Sequence, residues 1–256
     1  VPFFDKGGLF HRHAVGHEQF AWDIRAEPGV VDAFARLWGT PELIVSYDST
    51  NISLPYGKEL SGEATAPWPH VDQSPLRPAR HCVQGIVNLA PNGPEDGGLM
   101  VLEGSTALFD EYFATHGNIR PAEGWPTADW WGHDEEAVAW FEARGCKWHK
   151  VCAGPGDLIL WDSRTIHYGA AAAGTEPRVA TYVCYKPASG ISPEQLALKK
   201  ECFANYWGTS HDPLEFRISA PRFKSHWQEI EGERLQPRTV PVLSAGTRQL
   251  AGLEPY

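Results

Sequence analysis

Four residues in this chain have the types and spacing to do chemistry together: His70, Asp72, His167 and Arg178. His70 and Asp72 stand two apart in Trp68-Pro69-His70-Val71-Asp72. On an extended strand such a pair shares one face, roughly 7 Å apart at Cα, and converges on one ion. His167 lies downstream of the turn residues Pro155-Gly156-Asp157 and the apolar run 158–161, at the expected end of that strand. Two imidazoles and a carboxylate on one face of an octahedron leave three positions open. That ligand set suits a non-haem Fe(II) oxygenase, in which a co-substrate and dioxygen must both reach the metal. Arg178 opens the next strand, after the Ala- and Gly-rich loop 168–177. Antiparallel pairing of the two strands is expected to bring His167 and Arg178 to one pocket, where the guanidinium fork can clamp a carboxylate. Arg164, in the same stretch, reads as a solvated charge.

The elements that must position these residues are short strands. Runs at 43–54, 81–89, 97–102, 147–153 and 178–185, with turn signals such as Pro91-Asn92-Gly93-Pro94, predict a sandwich or barrel rather than alternating βαβ units. Along 43–54, Tyr47, Asn51 and Ser53 share a face. Helices are predicted over 28–38 (proline in the first turn, Gly39 closing it), 105–116 with Ser105 as cap, 134–144 and 193–206. Residues 55–67 read as loop. The stretch 117–132 is irregular and holds Trp125, Trp130 and Trp131, suited either to a lid over an apolar substrate or to ordinary packing. The tail to Tyr256 reads as loop. His11, His13 and His17 have metal-like spacing but read as solvated side chains near a chain end.

Composition narrows the partners. A length of 256 residues suits one large β-rich domain with insertions. A formal net charge of −10 argues against nucleic acid and against an anionic membrane surface, and no apolar run reaches transmembrane length. The five cysteines are odd in number and lack CxxC spacing, which argues against a disulfide framework or structural zinc and fits a reducing, cytoplasmic compartment. The chain begins at Val1, so a removed targeting segment stays open. Oligomeric state is not written in the sequence.

The sequence resembles the phytanoyl-CoA dioxygenase-like (PhyH) branch of the Fe(II)/2-oxoglutarate-dependent dioxygenases. The matching residues are His70-Val71-Asp72, Gly97-Gly98-Leu99-Met100-Val101-Leu102-Glu103-Gly104-Ser105, Pro155-Gly156-Asp157, and His167 with Arg178, within about 40–187. The resemblance implies that His70, Asp72 and His167 bind iron and that Arg178 binds the distal carboxylate of 2-oxoglutarate. It implies a mainly β fold with flanking helices: a double-stranded β-helix, jelly-roll or cupin-like, with helices outside one sheet. The whole chain, 1–256, is then one domain, with a β core at about 40–187, a helical insertion at about 105–145 and a C-terminal extension at 188–256. Gly169 departs from the pattern, because relatives often carry a small hydroxyl residue there that touches 2-oxoglutarate. A second donor is therefore expected from Asn51 or Gln84. The implied reaction is hydroxylation of a small organic substrate by dioxygen, with 2-oxoglutarate released as succinate and CO2. The alternatives are a cupin-like metal-binding protein without catalytic activity and a zinc hydrolase or isomerase, for which no HExxH is present.

Overall fold

The computed structural model describes residues 8–53, 66–77, 79–219 and 231–256. In chain order the elements are β1 (Leu9–Phe10), α1 (Gln19–Ala26), α2 (Pro28–Trp38), β2 (Leu43–Val45), β3 (Thr50–Ser53), β4 (His70–Val71), β5 (Val83–Asn88) and β6 (Gly98–Glu103). Then come α3 (Ser105–Thr115), β7 (Trp131–Gly132), α4 (Glu135–Glu142), β8 (Lys147–Lys150), β9 (Leu158–Asp162), β10 (His167–Ala170) and β11 (Arg178–Pro187). The chain ends with α5 (Pro193–Ala204), β12 (Gly208–Thr209), β13 (Ile218–Ser219) and α6 (Ala245–Leu250).

Two antiparallel sheets form the body. The larger runs β1-β3-β11-β5-β9, with β2 also on β11; the smaller runs β7-β4-β10-β6-β8. Successive strands alternate between them: β4, β6 and β10 lie in the smaller sheet, β5, β9 and β11 in the larger. This winding is the double-stranded β-helix, mainly β with flanking helices.

Period-two alternation sorts the faces. Val83, Val87, Val183 and Tyr185 turn outward from the larger sheet into a cluster with Trp22, Val30, Phe34, Cys202 and Leu250 from the helices. Ile86, Ala180 and Trp161 turn inward and meet Leu99 of the smaller sheet. The smaller sheet's outer face, through Val71 and Leu102, packs on Phe109, Tyr112 and Phe113 of α3 and Phe141 of α4. Helices therefore cover both sheets, not one as expected: the aromatics of the 105–145 insertion need an apolar partner, and that face supplies it.

Local chemistry sets most helix ends. Pro28 occupies the first turn of α2, and Gly39 closes it at φ 71°. Asp134 caps α4 by accepting from the Ala137 amide, and Ser192 caps α5 by accepting from Gln195. Ser105 is not a cap: its hydroxyl accepts the Ile166 amide at 2.9 Å instead. Helices α1 and α6 and the β12–β13 hairpin were not expected from the sequence, and the predicted loop 55–67 lies largely outside the described residues.

Two expectations about strands are corrected. The run 43–54 is not one strand. β2 and β3 both pair with β11, Val45 opposite Tyr185 and Thr50 opposite Thr181, and 46–49 bulge between them. The second correction concerns His167, which begins a strand rather than ending one. Asp162 closes β9, the Arg164 and Thr165 amides turn back onto Asp162, and the chain crosses to the opposite sheet. β10 and β11 are thus not paired; His167 and Arg178 face one cavity from different sheets.

Candidate metal centre

Cross-strand register brings the two histidines together. His167 is the direct antiparallel partner of His70, and their ring centroids lie 4.3 Å apart. Asp72 follows β4, held by its own amide donating to the Ser163 carbonyl. Its carboxylate oxygens lie 3.6 Å from His70 Nε2 and 3.4 Å from His167 Nε2. Each imidazole donates its Nδ1 proton to a carbonyl two residues back, His70 to Trp68 at 3.1 Å and His167 to Thr165 at 2.9 Å. Those bonds fix the tautomer and leave both Nε2 lone pairs facing Asp72, the supporting pattern of metal-binding histidines. Burial, with His167 alongside, pushes His70 down to about 4, so it presents a neutral lone pair. Burial alone would raise the Asp72 carboxyl, but His70, His167 and His211 outweigh it and hold the group below the usual range. Two imidazole nitrogens and a carboxylate oxygen are the donor set a divalent iron needs, and the residues fit it.

A cavity of about 580 Å³ opens on these three side chains. Arg178, at the start of β11, lines it and is buried. Gly98 makes room: with φ 148°, any Cβ there would fall 2.9 Å from Asn92 Oδ1 and 3.3 Å from Arg178 Nε. Among the described residues no carboxylate forms an ion pair with Arg178. Gly169 also lines the cavity.

The remaining expected residues part company. Gln84 lines the cavity, but its amide donates to Asp72 Oδ2 at 2.9 Å. Asn51 is fully buried on β3, accepts from the Ser53 hydroxyl, and does not reach the cavity lining. Arg164 is not a solvated charge; it forks onto the Asp162 carboxylate at 2.9 Å and pins the corner before His167. The amino-proximal histidines have separate fates. His17 is buried among Trp22, Tyr47 and Phe203, His13 accepts the Arg234 amide, and His11 lines the cavity. Of the three tryptophans, Trp125 and Trp131 pack on Phe113, while Trp130 lines the cavity, half exposed and stacked at 6.1 Å on His70. Trp68 stacks on the same imidazole at 4.3 Å.

Sequence reasoning missed the contribution of the C-terminal extension: Thr209, Ser210, His211 and Arg217 all line the cavity. No local motif marks them. It also missed a second group of possible ligands, His81, Asp129 and Asp212. There Lys186 Nζ already lies 2.9 Å from Asp212, and Arg77 Nε lies 3.0 Å from Asp129, so side-chain cations satisfy these carboxylates.

A double-stranded β-helix whose facing strands close two imidazoles and a carboxylate around one point has the architecture of the Fe(II)- and 2-oxoglutarate-dependent oxygenases. Residues 3–180 match the family described as Phytanoyl-CoA dioxygenase (PhyH), and the chain belongs to it. The match begins well before residue 40, where the resemblance read from the sequence starts. The chain is 42% identical over 215 residues to Ava biosynthesis cluster protein O of Aspergillus versicolor, covering 83% of this chain and 68% of that protein. A Dictyostelium discoideum protein named for phytanoyl-CoA dioxygenase is 26% identical over 54% of this chain and 36% of its own length. In fold, the chain resembles GlcNAc Inducible Gene 2 (GIG2, DUF1479) of Candida albicans, with TM-score 0.69 at 14% identity over 98% of this chain and 67% of that one. Membership of the family makes the protein an oxygenase dependent on Fe(II) and 2-oxoglutarate. Among the described residues no helix is long and apolar enough to cross a membrane.

Proposed function

We propose that the protein hydroxylates a small organic substrate, with His70, Asp72 and His167 holding Fe(II), Arg178 holding the far carboxylate of 2-oxoglutarate, and the whole chain acting as one domain. Arg178 carries the reading: a buried guanidinium at the cavity, without an ion-pair partner among the described residues, is complementary to a dicarboxylate. The bound iron supplies activation of dioxygen, coupled to conversion of 2-oxoglutarate to succinate and CO2. The protein's own residues hold and exclude. The Nδ1 bonds aim the histidines, Gln84 steadies the Asp72 carboxylate, and Ile86, Leu99 and Trp161 keep the inner wall apolar. Retention of Asp72 favours hydroxylation over halogen transfer, which needs that position for halide. The 42% identical relative is named for a biosynthesis cluster, which supports a small-molecule substrate.

The test is anaerobic titration of 2-oxoglutarate into the Fe(II) protein, followed by the charge-transfer absorption of the chelate. Arg178→Ala is expected to cost about 2–5 kcal/mol of 2-oxoglutarate binding, roughly a 30-fold to several-thousand-fold rise in Kd, with iron affinity unchanged. Wild-type affinity in that variant rejects the clamp. Products of aerobic incubation with labelled dioxygen and cell extract then test hydroxylation, as mass gains of one oxygen.

A further inference from the structure

An acidic side chain in the same cavity also forms no ion pair among the described residues. Asp48 lies in the 46–49 bulge and, half-buried, lines the same cavity as the three candidate ligands. Its Oδ1 accepts the Ser49 amide at 2.7 Å and the Ser49 hydroxyl at 3.3 Å. Among the described residues its Oδ2 has no hydrogen bond and no basic group stands at ion-pair distance. Arg25 approaches from behind, but its fork is committed to carbonyls, to Gly16 O at 2.5 Å and to Asp48's own carbonyl at 3.0 Å. Burial raises the Asp48 carboxyl above its ordinary value, against the opposing pull of the Ser49 amide, His211 and Arg25. An unrelieved carboxylate in such a place is costly unless something supplies a counter-charge.

The fold builds this position rather than leaving it to a loose loop. The Ser49 carbonyl accepts the Tyr182 amide, which ties the bulge to the middle of β11. Arg178 lies four residues back along β11, roughly 13 Å at about 3.3 Å per residue. The cavity wall therefore carries an anionic side chain, Asp48, and a cationic one, Arg178, that form no ion pair with each other. From the far side, Tyr47 and Thr209 exchange bonds: the Tyr47 amide donates to Thr209 Oγ1, and the Thr209 amide donates to the Tyr47 carbonyl, both at 2.9 Å. That clasp seats Ser210 and His211 at the cavity near Asp48, while Trp68 and Trp130 offer apolar faces in the same space.

We propose that Asp48 anchors the substrate, and that the substrate carries a protonated nitrogen. A protonated amine there donates a charge-assisted hydrogen bond to the free Oδ2 and supplies a counter-charge, while an anionic group is repelled. Calling the anchored molecule the substrate rests on the oxygenase reading; the ligand class does not.

The probes are three small molecules of similar size: 2-phenylethylamine, 2-phenylethanol and 3-phenylpropanoate. Each is titrated calorimetrically into the anaerobic Fe(II)- and 2-oxoglutarate-loaded protein. The amine is expected to bind about tenfold or more tighter than the alcohol, the factor one charge-assisted hydrogen bond is worth, and the carboxylate least well. Asp48→Asn keeps an oxygen for the Ser49 amide and is expected to bind amine and alcohol alike, while its 2-oxoglutarate titration stays at the wild-type value. Equal binding of amine and alcohol by the wild type overturns the proposal, as does an amine preference that survives in Asp48→Asn. If the variant loses 2-oxoglutarate binding as well, the wild-type comparison decides alone. The same amine preference with Fe(II) alone, in a protein that never binds 2-oxoglutarate, would sink the proposed Arg178 clamp and leave the Asp48 assignment standing.

Discussion

Gln84 illustrates how one side chain's role follows from its nearest partner. Its neighbours on β5 point alternately into the helix layer and into the cavity, and Gln84 takes the cavity side with Ile86. The amide then meets Asp72 Oδ2 at 2.9 Å, so its first effect is to orient a candidate metal ligand. Gln84→Leu is expected to weaken divalent metal binding about 10- to 100-fold, the usual loss when such a supporting bond is removed. Competition with a chelator of known affinity measures it. An unchanged metal affinity, with 2-oxoglutarate binding weakened instead, would return Gln84 to the role of co-substrate donor. The candidate ligands were legible because chemistry compresses them: His70 and Asp72 lie within three residues, and His167 and Arg178 follow a recognisable turn. Asp48 and His211 were not legible. Each is an ordinary polar residue until the fold sets 46–49 beside the 208–219 hairpin, 163 residues apart from Asp48 to His211.

At the scale of elements, the strands were readable as strands, but their partners were not. Short apolar runs bounded by turn residues mark β5, β6, β9 and β11 from local sequence, because a strand buried in a sheet must be apolar and must end where the chain turns. Which sheet a strand joins depends on pairing across the chain. The corner at 162–166 therefore read as one strand running to His167, although Asp162 there folds the backbone toward the other sheet. The β12–β13 hairpin was invisible for a related reason: two-residue strands carry no periodicity. Its attachment rests on the Tyr47–Thr209 exchange, with the Arg217 amide on Ser210 Oγ and the Ser210 amide on the Arg217 carbonyl closing the turn. Thr209→Val keeps the shape but strands the buried Tyr47 amide. The expected loss is about 1–3 kcal/mol in urea denaturation, together with weaker binding of the amine probe. Full stability in Thr209→Val would mean that the hairpin is held by something other than this clasp.

The whole molecule closes on itself through a histidine that composition could not distinguish from a surface one. His17 comes from the amino-proximal segment, is fully buried, and bonds through Nε2 to the Trp207 carbonyl just before β12. Its ring packs at 5.1 Å on Tyr47 and 5.8 Å on Phe203, joining the β2–β3 bulge to α5. A solvated reading failed because the spacing of His11, His13 and His17 says nothing about the aromatic cluster that later encloses the last of them. Burial, with Arg25 and Lys199 nearby, pushes His17 down to about 3, against a raising effect from the Trp207 bond. The unfolded chain takes up this proton near pH 6.5, whereas the folded chain refuses it until about pH 3. Protons therefore favour the unfolded state throughout that window. The stability contributed by neutral His17 is full above about pH 6.5 and declines as pH falls, by about 1.4 kcal/mol per pH unit between roughly pH 6 and pH 3. His70 and His133, both lowered to about 4 by burial, add slopes of the same sign, so total stability cannot isolate His17. A comparison with His17→Gln can, since glutamine retains a donor for the Trp207 carbonyl and does not titrate. The variant is expected to be less stable at neutral pH, with the gap to wild type narrowing by about 1.4 kcal/mol for each pH unit below about 6. Urea denaturation at a series of pH values, on the metal-free protein in both cases, measures that gap. Parallel stability curves would show that His17 titrates like an exposed histidine and does not hold the amino-proximal segment against α5.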